Sequence, residues 1–385
     1  MKNIVSFRPG VISNRTALES QTLIYKYLQD HYGYFFTIVK SEDDNYSDSA
    51  FQVVSIPKKA WKGSFNKLGL PKLQGLNGHT IEPFLVQTHG ILTVDPTIYP
   101  QGLLAIRTAN RCKKPVWFDA SLTIRKPTED LSWRLKRRLI IRKALENTTG
   151  IIVTVPKCLE RFQDLGLFDD VIAPKFKIMG HPVDTTRFKP QRSENDGILR
   201  VLVISRIVPE KGLFYILEAM SPLLRTHDNV QLQFLGSGSM KSLLEAEVAE
   251  RGLSEYVFFI NPVCHHEIPK ILNQADIFVN HAISIESWEE YFGVANLEAM
   301  SCGLPCVLTA GGGISYAIRE KDVAVFVKER NIIELREAIT QLIDSEVKRR
   351  ELGKRARTYV ESYYALPLIA EKYHRMLHDL AKPDK

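Results

Sequence analysis

The fold is decided by the reading of Arg200-Val-Leu-Val-Ile-Ser-Arg-Ile-Val-Pro-Glu-Lys-Gly212. Arg200–Ile204 is a short, nearly continuous apolar run, the mark of a strand buried on both faces. A polar loop stiffened by Pro209 follows. The same alternation recurs along the chain. Strand candidates in the first half are Ile4–Phe7, Phe35–Val39, Gln52–Ile56, Phe84–Gln87, Val116–Phe118 and Gly150–Val153. In the second half they are Arg200–Ile204, Val230–Phe234, Val257–Ile260, Ile277–Asn280, Cys306–Leu308 and Ala324–Val327. Most gaps hold a helix, so the chain reads as α/β, with two doubly wound, Rossmann-like parallel sheets.

A boundary falls in His181-Pro-Val-Asp-Thr-Thr-Arg-Phe-Lys-Pro190, which carries two prolines before the polar stretch Gln191–Gly197. Residues 1–190 are expected to form the first domain and 191–362 the second. The stretch 363–385 is expected to be a helix crossing back to the first domain. Tyr363, Leu366, Ile369, Tyr373 and Leu377 would share its apolar face.

The 385 residues are 44% hydrophobic and 25% charged, which suits two globular domains. The net charge of +7 favours phosphorylated partners or an anionic membrane surface. No apolar run reaches the roughly 18–20 residues of a spanning helix. Met1–Phe7 reads as a strand rather than a secretory signal. The five scattered cysteines, none in a CxxC pair, suit reduced thiols in a cytoplasmic protein and give no zinc site. No metal or other cofactor is expected.

The richest chemistry lies in Glu290-Tyr-Phe-Gly-Val-Ala-Asn-Leu-Glu298. A helix entered near Gly293 leaves the Phe292–Val294 N–H groups at its start, where anions are favoured. Glu290 and Glu298 then add two acceptors for sugar hydroxyls. Together these are the parts of a nucleotide-sugar donor site. Arg206 and Lys211, on one strand-end loop, can clamp a diphosphate. Leu235-Gly-Ser-Gly-Ser239 places Gly236 after another strand, as a binding loop or a plain turn. Val263-Cys-His-His-Glu267 reads as a helix start rather than a metal site, since adjacent histidines do not easily converge on one ion. Ala310-Gly-Gly-Gly313 is a further flexible strand-end loop.

These motifs, in the order Arg206-x4-Lys211-Gly212, Leu235-Gly236-x-Gly238, Glu290-x-Phe292-Gly293-x4-Glu298-Ala299-Met300-x-Cys302-Gly303-x-Pro305 and Gly312-Gly313, resemble retaining glycosyltransferases of the GT4 family. The resemblance covers about residues 180–330; His181-Pro-Val-Asp-x-x-x-Phe188 resembles the family's Asn-Gly-Val-Asp-x-x-x-Phe segment, with His181-Pro182 in place of Asn-Gly. It implies a GT-B fold, two Rossmann-like domains facing a central cleft, and a hexose moved from a nucleoside-diphosphate sugar to an acceptor hydroxyl. Arg206 and Lys211 would bind the diphosphate, Glu290 the hexose hydroxyls and Glu298 the ribose. Phe292, Gly293 and Val294 would assist through their backbone. Gly236 and Val263 would line the donor site, and Gly10 would face the cleft from the first domain. Asp119 stands where many members carry a histidine and joins Arg206, Lys211 and Glu290 in the catalytic set the resemblance implies. It would alter which sugar is accepted or contact the acceptor, unless it serves only to cap a helix or turn. His89, in Val86-Gln-Thr-His-Gly90, is a packing residue on this reading. The two domains would close around the donor, hinged near Pro182–Pro190.

The expected partners are the nucleotide sugar and a saccharide or lipid-linked acceptor, as in bacterial surface polysaccharide or glycolipid synthesis. Thr128–Lys143 reads as a helix with Arg134, Arg138 and Arg142 on one stripe and leucines beside it. It is either an ordinary surface helix or a dock for an anionic membrane face. No basic-aromatic nucleic-acid motif is present. Two other readings share the architecture: a nucleotide-sugar epimerase and a donor-binding module without turnover.

Overall fold

Strand–helix alternation becomes two parallel sheets in the computed structural model, which describes residues 2–8, 15–42, 46–56, 59–60, 74–75, 78–94, 100–120, 131–191, 196–286 and 288–379. The chain divides into two units, 1–182 with 366–385, and 183–365.

The first unit runs β1 (Lys2–Phe7), α1 (Arg15–Tyr32), β2 (Tyr34–Ser41), β3 (Gln52–Ile56), β4 (Lys59–Ala60), β5 (Gln74–Gly75) and α2 (Gly78–Val86). It continues β6 (Gly90–Val94), α3 (Pro100–Arg111), β7 (Val116–Asp119), α4 (Leu131–Glu146), β8 (Gly150–Val153), α5 (Lys157–Asp164) and β9 (Phe176–Ile178). Its seven-stranded sheet has the order β3-β2-β1-β6-β7-β8-β9, all parallel. Every residue of β6, β7 and β8 is buried, as a sheet covered on both faces requires.

The second unit runs β10 (Leu199–Ile204), α6 (Leu213–Thr226), β11 (Val230–Leu235), α7 (Lys241–Glu250), β12 (Val257–Ile260), α8 (Ile268–Leu272) and β13 (Ile277–Asn280). After these come α9 (Val294–Ser301), β14 (Cys306–Thr309), α10 (Ile314–Ala317), β15 (Val325–Val327), α11 (Ile332–Ile343) and α12 (Glu346–Tyr363). The six parallel strands are ordered β12-β11-β10-β13-β14-β15. Helix α6 buries Leu213, Ile216, Leu217, Met220, Leu223 and Leu224, one stripe at helical spacing. Each such side chain contributes about 1.5–3 kcal/mol on burial. Asn331 caps α11 by accepting the Glu334 N–H at 3.1 Å, which fixes where that helix starts.

Three expectations are corrected, and one strand of the first sheet had no counterpart among them. Phe84–Gln87 is not a strand: Phe84–Val86 close α2, and the strand is Gly90–Val94. A short apolar run fits either element, and only the sheet decides. The edge strand β9 was not foreseen, because two of its three residues are exposed. The last helix does not start at 363. Tyr363 ends α12 and is exposed, and α13 (Leu366–Asp379) begins afresh with Pro367 in its first turn. Helix α13 packs on α1 of the first unit, burying Ile369, Tyr373 and Leu377. Finally, the units divide at 182/183 rather than at 190. The segment after Pro182 is bound into the second unit: the Val183 N–H donates to the Tyr364 carbonyl at 2.8 Å, and Phe188 is buried.

Candidate functional site

In the second unit the strand order reverses between β10 and β13, and ligands of open α/β sheets sit outside the carboxyl ends at such a point. Two strand-end loops meet there. The loop after β10 carries Arg206 and Lys211, and the loop after β13 carries Glu290. The Lys211 Nζ donates to Glu290 Oε2 in an ion pair whose side chains are 13% and 16% exposed. The same ammonium lies 4.6 Å from the centre of the Trp288 ring, a cation–π contact. Arg206 is different: it is 61% exposed and holds Glu210 at 3.2 Å. The two cations share a loop, with Lys211 set in the site and Arg206 at its rim.

The glycines of the other loops are explained by backbone packing. A Cβ on Gly236, where φ is +150°, would overlap the Ser205 carbonyl oxygen. The loop after β11 crosses directly over the loop after β10, and Ile207 N–H donates to the Ser237 carbonyl at 2.8 Å. A Cβ on Gly313 would overlap the Tyr291 carbonyl, and the Gly313 N–H donates to the Glu290 carbonyl at 2.6 Å. The loop after β14 thus supports the backbone that presents Glu290. Gly236 and Gly313 build the site by letting loops touch.

Helix α9 opens after Gly293, with no side chain capping it. Phe292 is buried, edge-on to Tyr364 at 5.5 Å, so only its backbone faces the helix start. Glu298, buried in the second turn, accepts a hydrogen bond from His265 Nε2 at 2.6 Å. His265 Nδ1 lies 2.5 Å from an Arg187 terminal nitrogen, and Arg187 also donates to the His265 carbonyl at 3.2 Å. Val263 is half-buried just before this segment. The helix start expected at 263–267 is present as a short turn over His265–Glu267, with Glu267 accepting the Cys264 N–H at 3.0 Å. Sequence reading missed His265 as the partner of Glu298 and Arg187 as the partner of His265. The signal was the paired histidines, but nothing local revealed which acid they would meet. Among the described residues, no group of three or more His, Cys, Asp or Glu is placed to hold a metal ion.

In the first unit, Asp119 ends β7 as expected, but it is buried. Its Oδ2 lies 4.0 Å from an Arg8 terminal nitrogen, with side chains only 9% and 6% exposed. Arg8 also donates to the Tyr25 hydroxyl at 3.1 Å and the Ser6 hydroxyl at 3.3 Å. A cavity of about 10 Å³ remains among Arg8, Thr93, Asp119 and Tyr373. Burial, then Asp119, pushes the Tyr373 phenol well above its ordinary range. Burial lowers the nearby His181 imidazole, against an opposing pull from Asp119. Gly10 lies outside the described residues. His89 sits at the amino end of β6, where its Nδ1 accepts the Asn3 N–H at 3.1 Å.

Thr128–Asp130 and the side chains of Leu131, Arg134 and Leu135 are outside those described. The rest of α4 departs from a leucine seam beside free arginines. Arg138 donates to the Gly166 carbonyl at 2.8 Å, Arg142 pairs with Asp169 and Glu146, and Leu139 is 71% exposed. No described helix is long and apolar enough to cross a membrane. A cavity of about 720 Å³ opens elsewhere in the second unit, beside Arg319, Phe326, Lys348 and Arg355. None of Arg206, Lys211, Glu290 and Glu298 lines it, so volume and chemistry point to different places, and the chemistry is the better guide.

Two Rossmann-like units of this kind make up a GT-B fold, which solved structures share over the full chain. A glycosyltransferase from Rickettsia africae superposes with a TM-score of 0.78, at 14% identity, covering 100% of this chain and 99% of its own. Anabaena HepE in complex with UDP gives 0.77 at 15% identity, covering 98% and 100%. Residues 184–359, nearly all of the second unit, match the family described as glycosyl transferases group 1, which agrees with the family resemblance carried by the motifs of that unit. Among curated relatives, a GDP-mannose-dependent monoacylated phosphatidylinositol monomannoside mannosyltransferase of Corynebacterium glutamicum is 25% identical over 53% of this chain and 56% of its own length. D-inositol 3-phosphate glycosyltransferase of Paenarthrobacter aurescens is 28% identical over 48% and 45%. The chain thus spans about half the length of the curated relatives it matches.

Proposed function

We propose that the protein is a retaining, metal-independent glycosyltransferase that moves a hexose from a nucleoside-diphosphate sugar to a saccharide or lipid-linked acceptor. The observation that carries this reading is the Lys211–Glu290 pair at the switch point, with Glu298 in the helix that follows. In the reaction the bond between the anomeric carbon and the diphosphate oxygen breaks, and negative charge grows on that oxygen. Lys211, shared between Glu290 and the incoming diphosphate, stabilises the charge, with Arg206 closing over it from the rim. Glu290 then positions the hexose hydroxyls. The acceptor oxygen bonds to the anomeric carbon on the leaving-group face, and its proton passes to the departing phosphate. The phosphoinositide and inositol-phosphate names of the two curated relatives support a polar-lipid or polyol acceptor.

Asp119 has no step in this scheme, because its carboxylate is committed to Arg8. Membrane docking through α4 is left out for a similar reason, since Arg138 and Arg142 are engaged within their own unit. The test is incubation with UDP-, GDP- and ADP-hexoses. Slow release of nucleoside diphosphate, accelerated by acceptor, supports the proposal. Isomerised donor without release would indicate an epimerase, and binding without turnover a donor-binding module.

A further inference from the structure

Glu298 lies in the second turn of α9, and an acid there has two oxygens to offer. One is already committed: Oε1 accepts from His265 Nε2 at 2.6 Å. The other nitrogen of that ring, Nδ1, faces the Arg187 guanidinium at 2.5 Å. A guanidinium donates and does not accept, so Nδ1 must be the acceptor. That assigns the proton to Nε2, directed at Glu298. The ring is fixed further by the Arg187 bond to its own carbonyl and by Phe188, whose ring centre lies 5.4 Å away. Arg187 itself stacks 5.0 Å from the Phe188 ring.

We infer that Arg187 and His265 are positioning residues for the donor ribose: they fix the Glu298 carboxylate through Oε1 and leave Oε2 to accept the ribose hydroxyls. This rests on the donor-site reading above and adds two residues to it. Arg187 follows Asp184 at the start of the second unit, and His265 follows β12. Neither lies on the strand-end loops that carry Arg206, Lys211 and Glu290. Their effect therefore falls on the nucleoside end of the donor and not on the bond that breaks. Loss of the His265 proton donor would free the carboxylate to rotate, raising KM for the donor while kcat changes little.

The experiment measures binding of UDP, GDP and ADP, and of their 2′- and 3′-deoxy forms, by calorimetry. Wild type is expected to favour the ribose form of the nucleotide it binds by roughly tenfold or more, the worth of a hydrogen bond to a charged acceptor. In His265→Phe, which keeps a ring against Phe188 but no donor, the preference should fall toward unity. In His265→Gln, whose amide can still donate, it should be largely kept. Nitrogen-15 NMR of labelled histidine in wild type should show a neutral ring protonated at Nε2, a readout independent of any variant. An unchanged ribose preference in His265→Phe, or a proton on Nδ1, overturns the inference and leaves the donor site standing. A wild type that binds nucleotide with no ribose preference does the same. Failure of all three nucleotides to bind overturns both.

Discussion

The two units place charge at the same point of the same kind of sheet and use it in opposite ways. After β10 and β13 of the second unit, Lys211 and Glu290 pair within reach of solvent, and Glu298 is braced from behind by His265. After β1 and β7 of the first unit, Arg8 and Asp119 pair in a nearly sealed interior that Tyr373 of α13 helps to line. The first arrangement can exchange a partner for a ligand. The second cannot do so without uncovering a buried charge, which costs several kcal/mol. A charged residue at a strand end is therefore not a site until its burial and its partner are known.

The sharpest attempt to break this contrast is Asp119→Ala. It strands the Arg8 guanidinium in the interior and should lower stability by about 3–5 kcal/mol, read as a fall in denaturation midpoint. A stable variant with lost turnover would instead return Asp119 to the catalytic set. Next is Lys211→Ala, expected to cut donor turnover by roughly 10²–10³, about 3–4 kcal/mol in the barrier. Its unfolding midpoint should shift less than that of Asp119→Ala, because the Lys211–Glu290 pair is the more exposed. If the two variants gave the same pattern, the distinction between the units would fail.

A third test uses pH. His281 is buried; its Nε2 accepts the Arg330 N–H at 3.1 Å, and its Nδ1 has no partner. Desolvation lowers its pKa to about 4, with Glu329 opposing. Between the ordinary 6.5 and that value the unfolded chain holds a proton that the folded chain does not. The second unit should therefore lose stability as pH falls through this window, by roughly 3 kcal/mol in all. His281→Gln should flatten that part of the stability profile; a slope unaltered by the substitution would show that other groups carry it. The smallest effect is expected from Arg206→Ala. As an exposed rim cation it should cost roughly tenfold in turnover, about 1.4 kcal/mol. A loss as large as that of Lys211→Ala would place the two cations on an equal footing.

Much of this was legible in the chain. The continuous apolar runs located most strands of both sheets, and Arg206, Lys211, Glu290 and Glu298 stand on strand-end loops or the helix that follows, as their spacing implied. The reading failed where two local solutions were equally good. Phe84–Gln87 is as apolar as the strand that follows it, and Pro367 was read through as part of one helix when it opens a new one. It also missed every long-range pairing. Arg8 and Asp119 are adjacent only because β1 and β7 flank β6, and Glu298 meets His265 only because α9 passes the end of β12.

By itself, the sequence determined that there are two parallel sheets and which residues stand near their carboxyl ends. Periodicity and turn chemistry are local properties, carried by a few neighbouring residues. Only the tertiary structure decided which charges meet, which are sealed in and which remain open to a ligand. Those outcomes depend on strand order and on loops crossing in space, and at each of these places the energy is set by burial and partner rather than by residue type.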